Sequence, residues 1–336
     1  MKVKIKDVAY HLPARAVTNE EISKKHPDWD MEHVMATTGV ATRYFAAEGE
    51  TALDLAHQAC LKLFAANPDL KDKVDGLIFC TQSPDHIMPP NSCLLQGRLG
   101  LGDKLFAFDY NLACSGYTYG LAICQGLIRG GTLSNILLVN GDTYSRYIHE
   151  EDRSCAVLFG DGAAVSWITA AEGDEGVEDI RFGSYGQLGE AFIIQAGGMR
   201  LPLSEKTKEM VPDERGKMRS PEHINMDGLG ILTFVQDRVR KHMKGMLKEN
   251  NLEPADLDLI ILHQASKKAL QALSKRMKFP DEKVFMNLEN VGNTVSASIP
   301  ICIKDAWDQG RLKPGDRVFL SGFGVGLSYA SAIVKF

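Results

Sequence analysis

The stretch FDYNLACSGYTYGLAICQGLIRGG, residues 108–131, starts as a short strand, turns at a cysteine, and continues into a run with the small and apolar residues of a buried helix. Before it comes the apolar strand DGLIFC (75–80), and after it the strand NILLVNGD (135–142). The same order returns in the second half of the chain. LDLIILH (257–263) leads to FMNLENVGNTVSASIPICIKDAWDQG (285–310) and then to DRVFLSGFG (316–324). Cys80 precedes Cys114 by 34 positions and His263 precedes Asn293 by 30, so the two halves have a common metre. Two units cannot make a solenoid, which needs more repeats. Packed face to face they predict a layered α/β sandwich with a pseudo-twofold axis, and the turns at Cys114 and Asn293 meet near it.

Outward from these two turns the chain keeps α/β patterning. AAVSWITA (163–170) is a further predicted strand, and MKVKIKDVAYHLP alternates as a strand does. ETALDLAHQACLKLFAAN (50–67) and GLGILTFVQDRVRKHMKGMLKEN (228–250) predict helices, the second with a basic face in its latter part. The expected division is an N-terminal half over 1–175, bearing the cysteine, and a C-terminal half over 176–336, bearing the histidine and asparagine. Residues 197–226 are polar, contain proline and lack strong periodicity, which predicts a lid-like insertion in the second half.

The 336 residues are 44% hydrophobic and 24% charged, the composition of a globular protein with a substantial core. A net charge of −5 gives no sign of a nucleic-acid or anionic-membrane partner. The seven cysteines are scattered, with no CxxC pair, which argues against a zinc site or a disulfide framework. The N-terminal stretch lacks a signal-peptide apolar run, and no segment is apolar for long enough to span a bilayer. A cytoplasmic location is expected.

Three residues stand where chemistry would be done. Cys114 lies at or just inside a helix N-terminus, where unpaired amides and the helix dipole favour a thiolate. Buried cysteines are usually small hydrophobes, and Cys124 and Cys155, inside apolar runs, read that way. His263 ends a buried strand, at the edge where α/β proteins bind ligands. Asn293 sits in the glycine turn NVGNTVSASIP; alone it would be an ordinary turn residue. A cysteine protease of the papain type uses the same three residues in the same order, but its cysteine neighbourhood is absent.

The segments TTGVATRYF (37–45), DYNLACSGYTYGL (109–121), FGDGAAV (159–165), ILHQAS (261–266), NVGNTVSASIP (290–300) and GRLKPGDRVFLSGFGVGLSYASAIVKF (310–336) resemble β-ketoacyl-ACP synthase III, of the thiolase superfamily. The resemblance implies the thiolase fold, an αβαβα sandwich of two related halves. It implies that Cys114 accepts an acyl group while His263 and Asn293 serve a decarboxylative Claisen condensation with a malonyl thioester. The oxyanion hole would be the amides of Cys114 and of Val325, in the turn Phe323–Gly326. Substrates would arrive on coenzyme A or acyl carrier protein, with no metal or redox cofactor, in fatty-acid or specialised acyl-chain synthesis.

The departures narrow that expectation. Where the family holds the adenine of coenzyme A with a tryptophan and an arginine, His33 and Thr37 stand here. Arg153 matches the other nucleotide-side arginine, but Ser154 replaces a glycine, and Ser266 replaces the asparagine of HQAN. Lys268 takes a phosphate-facing position. A carrier protein as donor of both substrates would be acidic, with Lys267, Lys268, Lys275 and Arg276 as contacts; the same four also read as a solvated helix face. Met88, in DHIMPP, matches a position that crosses the family's dimer interface to cap the partner's acyl pocket. A homodimer is expected, with a divergent sister chain as the alternative. Two other functions compete: acyl transfer from Cys114 to an oxygen or nitrogen nucleophile, and a catalytically silent subunit. Retention of all three residues argues against both.

Overall fold

Two sheets of five strands carry the architecture in the computed structural model, which describes residues 2–212 and 218–336. The first uses Val3–His11 (β1), Gly76–Cys80 (β2), Phe106–Tyr110 (β3), Asn135–Asp142 (β4) and Gly162–Ala170 (β5). The second uses Gly176–Ser184 (β6), Leu259–Leu262 (β7), Val284–Phe285 (β8), Arg317–Gly324 (β9) and Ser328–Lys335 (β10). Their orders, β3-β2-β4-β5-β1 and β8-β7-β9-β10-β6, correspond position by position. In the first, β2 runs parallel to β3 and β4, and β5 is antiparallel to β4 and β1. In the second, β7 runs parallel to β8 and β9, and β10 is antiparallel to β9 and β6. This is the thiolase-type repetition that the two metred segments predict.

The central strands are unbroken apolar runs because both of their faces are covered. Every residue of β2 and of β7 is buried. Ala52–Ala66 (α1) and Asn91–Leu99 (α2) pack outside the first sheet. Gly116–Arg129 (α3) lies between the sheets, where Tyr117 and Leu121 join Ile78 and Leu138 to Leu320 from the other sheet. Gly228–Phe234 (α4) and Arg240–Glu249 (α5) are joined through a π-helical turn at Val235–Val239, and Lys267–Met277 (α6) packs beside them. Ser298–Asp308 (α7) fills the middle layer beside α3. The helix expected over 228–250 is therefore one rod with a π turn inside it, a device that admits an extra residue and often borders functional sites.

Residues 197–226 carry short regular pieces. Phe192–Ile193 pairs with Asn225–Met226, Val211–Pro212 pairs with Met218–Arg219, and Glu205–Lys208 makes a single helical turn. Residues 213–217 of the expected insertion lie outside the described residues. Arg219 and Asp152, both largely buried, approach to 3.3 Å and tie the segment to the body. Among the described residues, no helix is long and apolar enough to cross a membrane.

Candidate active site

Cys114 sits between the end of β3 and the start of α3 and is 4% exposed. Strand β9 crosses it at backbone distance. A Cβ on Gly322 would stand 2.3 Å from the Cys114 carbonyl oxygen, and one on Gly324 would stand 2.8 Å from its sulfur. Only glycine permits that approach. Burial, reinforced by the Asp142 carboxylate, pushes the thiol well up, against a smaller pull from its own amide. The thiolate expected from a helix N-terminus is thus outweighed in the resting site, because a buried anion loses more solvation than the amides return.

His263 follows β7 directly, and its amide donates to the Ser321 carbonyl at 2.8 Å, continuing the parallel ladder. Its Nδ1 pairs with the Ser298 hydroxyl at 2.8 Å, and the edge of the ring meets Phe323. Burial lowers its pKa to about 3, so the imidazole is neutral at physiological pH. Asn293 is fixed through its backbone: its amide donates to the Leu158 carbonyl at 2.9 Å, and its carbonyl accepts from Gly160 at 3.0 Å. Its Oδ1 accepts from the Val295 amide at 2.9 Å. That leaves Nδ2 facing His263 Nε2, 3.4 Å away.

All three side chains line one cavity of about 410 Å³. Leu158, Phe159, Phe192, Met226, Ile231 and Val235 form its apolar wall. The π turn thus contributes Val235 to that wall. A second hollow of about 410 Å³ shares Thr37, Thr38 and Ser154 with it and is also lined by His33, Arg153 and Met218. The two hollows therefore adjoin at those shared residues.

The other expected site residues fall in several places. Ser266 lines the cavity and caps α6, its hydroxyl accepting from the Ala269 amide at 3.3 Å. Lys268 lines the same wall, whereas the Lys267 stem packs where a Cβ on Gly39 would stand, 2.6 Å away. Lys275 and Arg276 are exposed on α6. Arg153 is at the outer hollow. Val325 follows β9, and its carbonyl accepts from Ser328 Oγ at 2.8 Å. Met88 is 79% exposed on the loop before α2 and lines neither hollow. Sequence reasoning missed Ser298, behind His263, and Asp142, whose carboxylate is wholly buried near Cys114. The charge ending the apolar strand NILLVNGD was the available signal for Asp142.

A thiol, a neutral imidazole and a carboxamide converging at the junction of two duplicated halves define the thiolase-fold class of acyl-transferring enzymes. The profile described as 3-Oxoacyl-[acyl-carrier-protein (ACP)] synthase III matches residues 108–186, and its C-terminal companion matches 247–336. The beta-ketoacyl-[acyl-carrier-protein] synthase III of Fusobacterium nucleatum is 35% identical over 332 residues, 98% of each chain. A crystal structure of a 3-oxoacyl-(acyl-carrier-protein) synthase III superposes with TM-score 0.97 at 38% identity, covering 100% of both chains. A crystal structure of a 3-oxoacyl-(acyl-carrier protein) synthase from Burkholderia xenovorans LB400 has TM-score 0.92 at 31% identity, covering 99% of this chain and 94% of that one. The chain belongs to the β-ketoacyl-ACP synthase III family, and it is an acyltransferase of that type.

Proposed function

We propose that the chain joins an acyl thioester to a malonyl thioester by decarboxylative Claisen condensation, with Cys114, His263 and Asn293 as its catalytic residues. The observation that carries this reading is the meeting of Asn293 Nδ2 and His263 Nε2, 3.4 Å apart at the cavity wall. With Ser298 donating to Nδ1, the neutral imidazole keeps its proton on Nε2. Nε2–H and the Asn293 amide then point at a common acceptor, which a thioester carbonyl oxygen supplies.

In the first half-reaction the Cys114 sulfur attacks the primer carbonyl. The C–S bond to the carrier breaks, and the thiol proton leaves on the departing thiol. The amides of Cys114 and Val325 stabilise the tetrahedral oxyanion. The malonyl thioester then enters, and His263 and Asn293 hold its thioester carbonyl. As CO₂ departs, the C–C bonding pair becomes an enolate stabilised by these two donors. The enolate carbon attacks acyl-Cys114, and the sulfur leaves with the electron pair and takes a proton from solvent, the one net proton that the reaction consumes. No step requires a metal or a redox group. Simple acyl transfer would need a base but no paired enolate donors.

Malonyl-ACP is the proposed extender. Arg153 and Lys268 would meet the phosphate side of the incoming arm, Ser266 would border it, and exposed Lys275 and Arg276 offer charge to an acidic carrier. The proposed assembly is a homodimer. Strand β3 is an edge, and beside its sheet Ile87 and Met88 are 89% and 79% exposed. Met88 would cap the partner's acyl pocket.

The test is to incubate the protein with acyl-CoAs and acyl-carriers and weigh the intact chain. Acylation confined to Cys114, followed by CO₂ release and a 3-oxoacyl product on adding malonyl-ACP, is the expected result. Labelling without CO₂ release supports transfer to another nucleophile. Absence of labelling, with Cys114→Ala still active, refutes the assignment.

A further inference from the structure

One buried charged group has no part in these steps. Asp142 ends β4 in the first sheet, wholly buried, and its two oxygens face different halves of the molecule. Oδ1 accepts from the Gln82 amide at 2.7 Å and lies 3.5 Å from the Thr81 hydroxyl, both from the loop after β2. Oδ2 accepts from the Ser296 hydroxyl at 2.6 Å and the Ser296 amide at 3.4 Å, in the turn before α7.

That turn carries Asn293 and the hydroxyl that holds His263. Asn293 lies three residues before Ser296, and Ser298, the partner of His263 Nδ1, lies two after it. Between them Val295 has φ +54, a left-handed conformation that a β-branched residue adopts only when its surroundings impose it. The Val295 amide is the donor that orients the Asn293 side chain. The strained residue is thus pinned by Asn293 Oδ1 on one side and by Asp142, through Ser296, on the other.

Resting on the proposed condensation, we propose that Asp142 is a positioning residue: its carboxylate, fixed to the Cys114 half, holds the Val295–Ser296 turn so that Asn293 and His263 face the acylated cysteine. Its donors are all N–H or O–H groups, so the ionised form is the one that bridges. Protonation turns one acceptor oxygen into a donor and weakens one side of the bridge. Burial raises the pKa of this carboxyl to about 7, against the pull of Gln82, Ser296 and Thr81, so the change falls near neutrality. The titratable groups that feel its charge are Cys80, Cys114, Tyr144 and Tyr147, each pushed up by it. None supplies a compensating cation.

The experiment compares wild type with Asp142→Asn, Ser296→Ala and the double variant. Three readouts are taken: Cys114 acylation by intact mass, condensation with malonyl-ACP across pH 5.5–8.5, and amide hydrogen exchange of a peptide spanning 291–298. Asp142→Asn is expected to lower condensation about 100-fold while acylation stays within about threefold, because only the enolate donors are displaced. Ser296→Ala shows the same split more weakly. The double variant is no worse than Asp142→Asn, since both changes break one link. Wild-type condensation falls on the acid side of neutrality, and that limb disappears in Asp142→Asn. Exchange over 291–298 rises at least tenfold in Asp142→Asn. Equal losses in both half-reactions with unchanged exchange overturn the proposal. The exchange arm decides the anchoring even if wild type proves unable to condense, a failure that would count against the catalytic reading instead.

Discussion

At the scale of single residues, the site is set by what burial does to each ionisable group. Burial holds the His263 imidazole neutral, and the Asn293 oxygen is occupied by the Val295 amide, which leaves Nδ2 as its donor. Replacing Asn293 with alanine should therefore cost condensation about 100-fold or more and leave acylation nearly intact. Burst labelling of Cys114 and steady-state CO₂ release measure the two separately; equal loss would deny Asn293 its enolate role. The same burial has a thermodynamic consequence. Asp142 has its folded pKa raised to about 7, so its contribution to stability is full below its ordinary value near 4 and lost as pH rises towards 7. His263 has its folded pKa lowered to about 3, so its contribution is present above about 6.5 and lost as pH falls. The two slopes oppose each other between these limits. Urea titrations should show wild type gaining on Asp142→Asn as pH drops from 7.5 to 4.5, by at most a few kcal/mol. A gap that stays constant or narrows on acidification would show that the folded pKa of the carboxyl is not raised.

At the scale of elements, the two inner helices and strand β9 must approach one another more closely than side chains normally allow. Gly116 leaves room for the Cys80 sulfur and Gly120 for Leu138 and the Tyr110 hydroxyl, so α3 seats against β2, β3 and β4. Gly322 is the tightest of these against backbone, with the Cys114 carbonyl and the Ser115 Cα both within 2.8 Å of where its Cβ would be. Gly322→Ala should destabilise the protein by about 1–3 kcal/mol, as overpacking does, and shift β9 away from Cys114. Lowered urea midpoints together with slower primer loading are the expected signature, and an unaffected loading rate would mean that the strand yields elsewhere. The elements themselves were largely legible. The strands at 75–80, 135–142, 163–170, 257–263 and 316–324 recur within two residues of the predicted ends, because buried strands are read from apolar runs. Strands β6 and β10 are not legible in the sequence. VEDIRFGS and SYASAIVK mix polar and small residues, since β6 is an edge and β10 takes Ser331 to a hydroxyl pair with Ser321.

At the scale of the whole molecule, duplication decides the architecture. The proposed dimer would be built at the β3 end of the first sheet, where Phe106 is exposed on the edge strand and Ile87 and Met88 stand out beside it. Light scattering is expected to return a dimer mass, and Ile87→Lys with Phe106→Lys should shift it towards the monomer with slower acylation; an unchanged dimer would place the interface elsewhere. What the sequence determined alone is the repeated strand–turn–helix order and which side chains are candidates for the chemistry, because apolar periodicity and residue chemistry are local properties. What only the tertiary structure decided is how those side chains behave. Burial pushes the Cys114 thiol up and the His263 imidazole down, and a carboxyl group from one half accepts hydrogen bonds from the turn of the other. Each follows from desolvation and from contacts between residues far apart in the chain, such as Asp142 and Ser296, 154 positions apart.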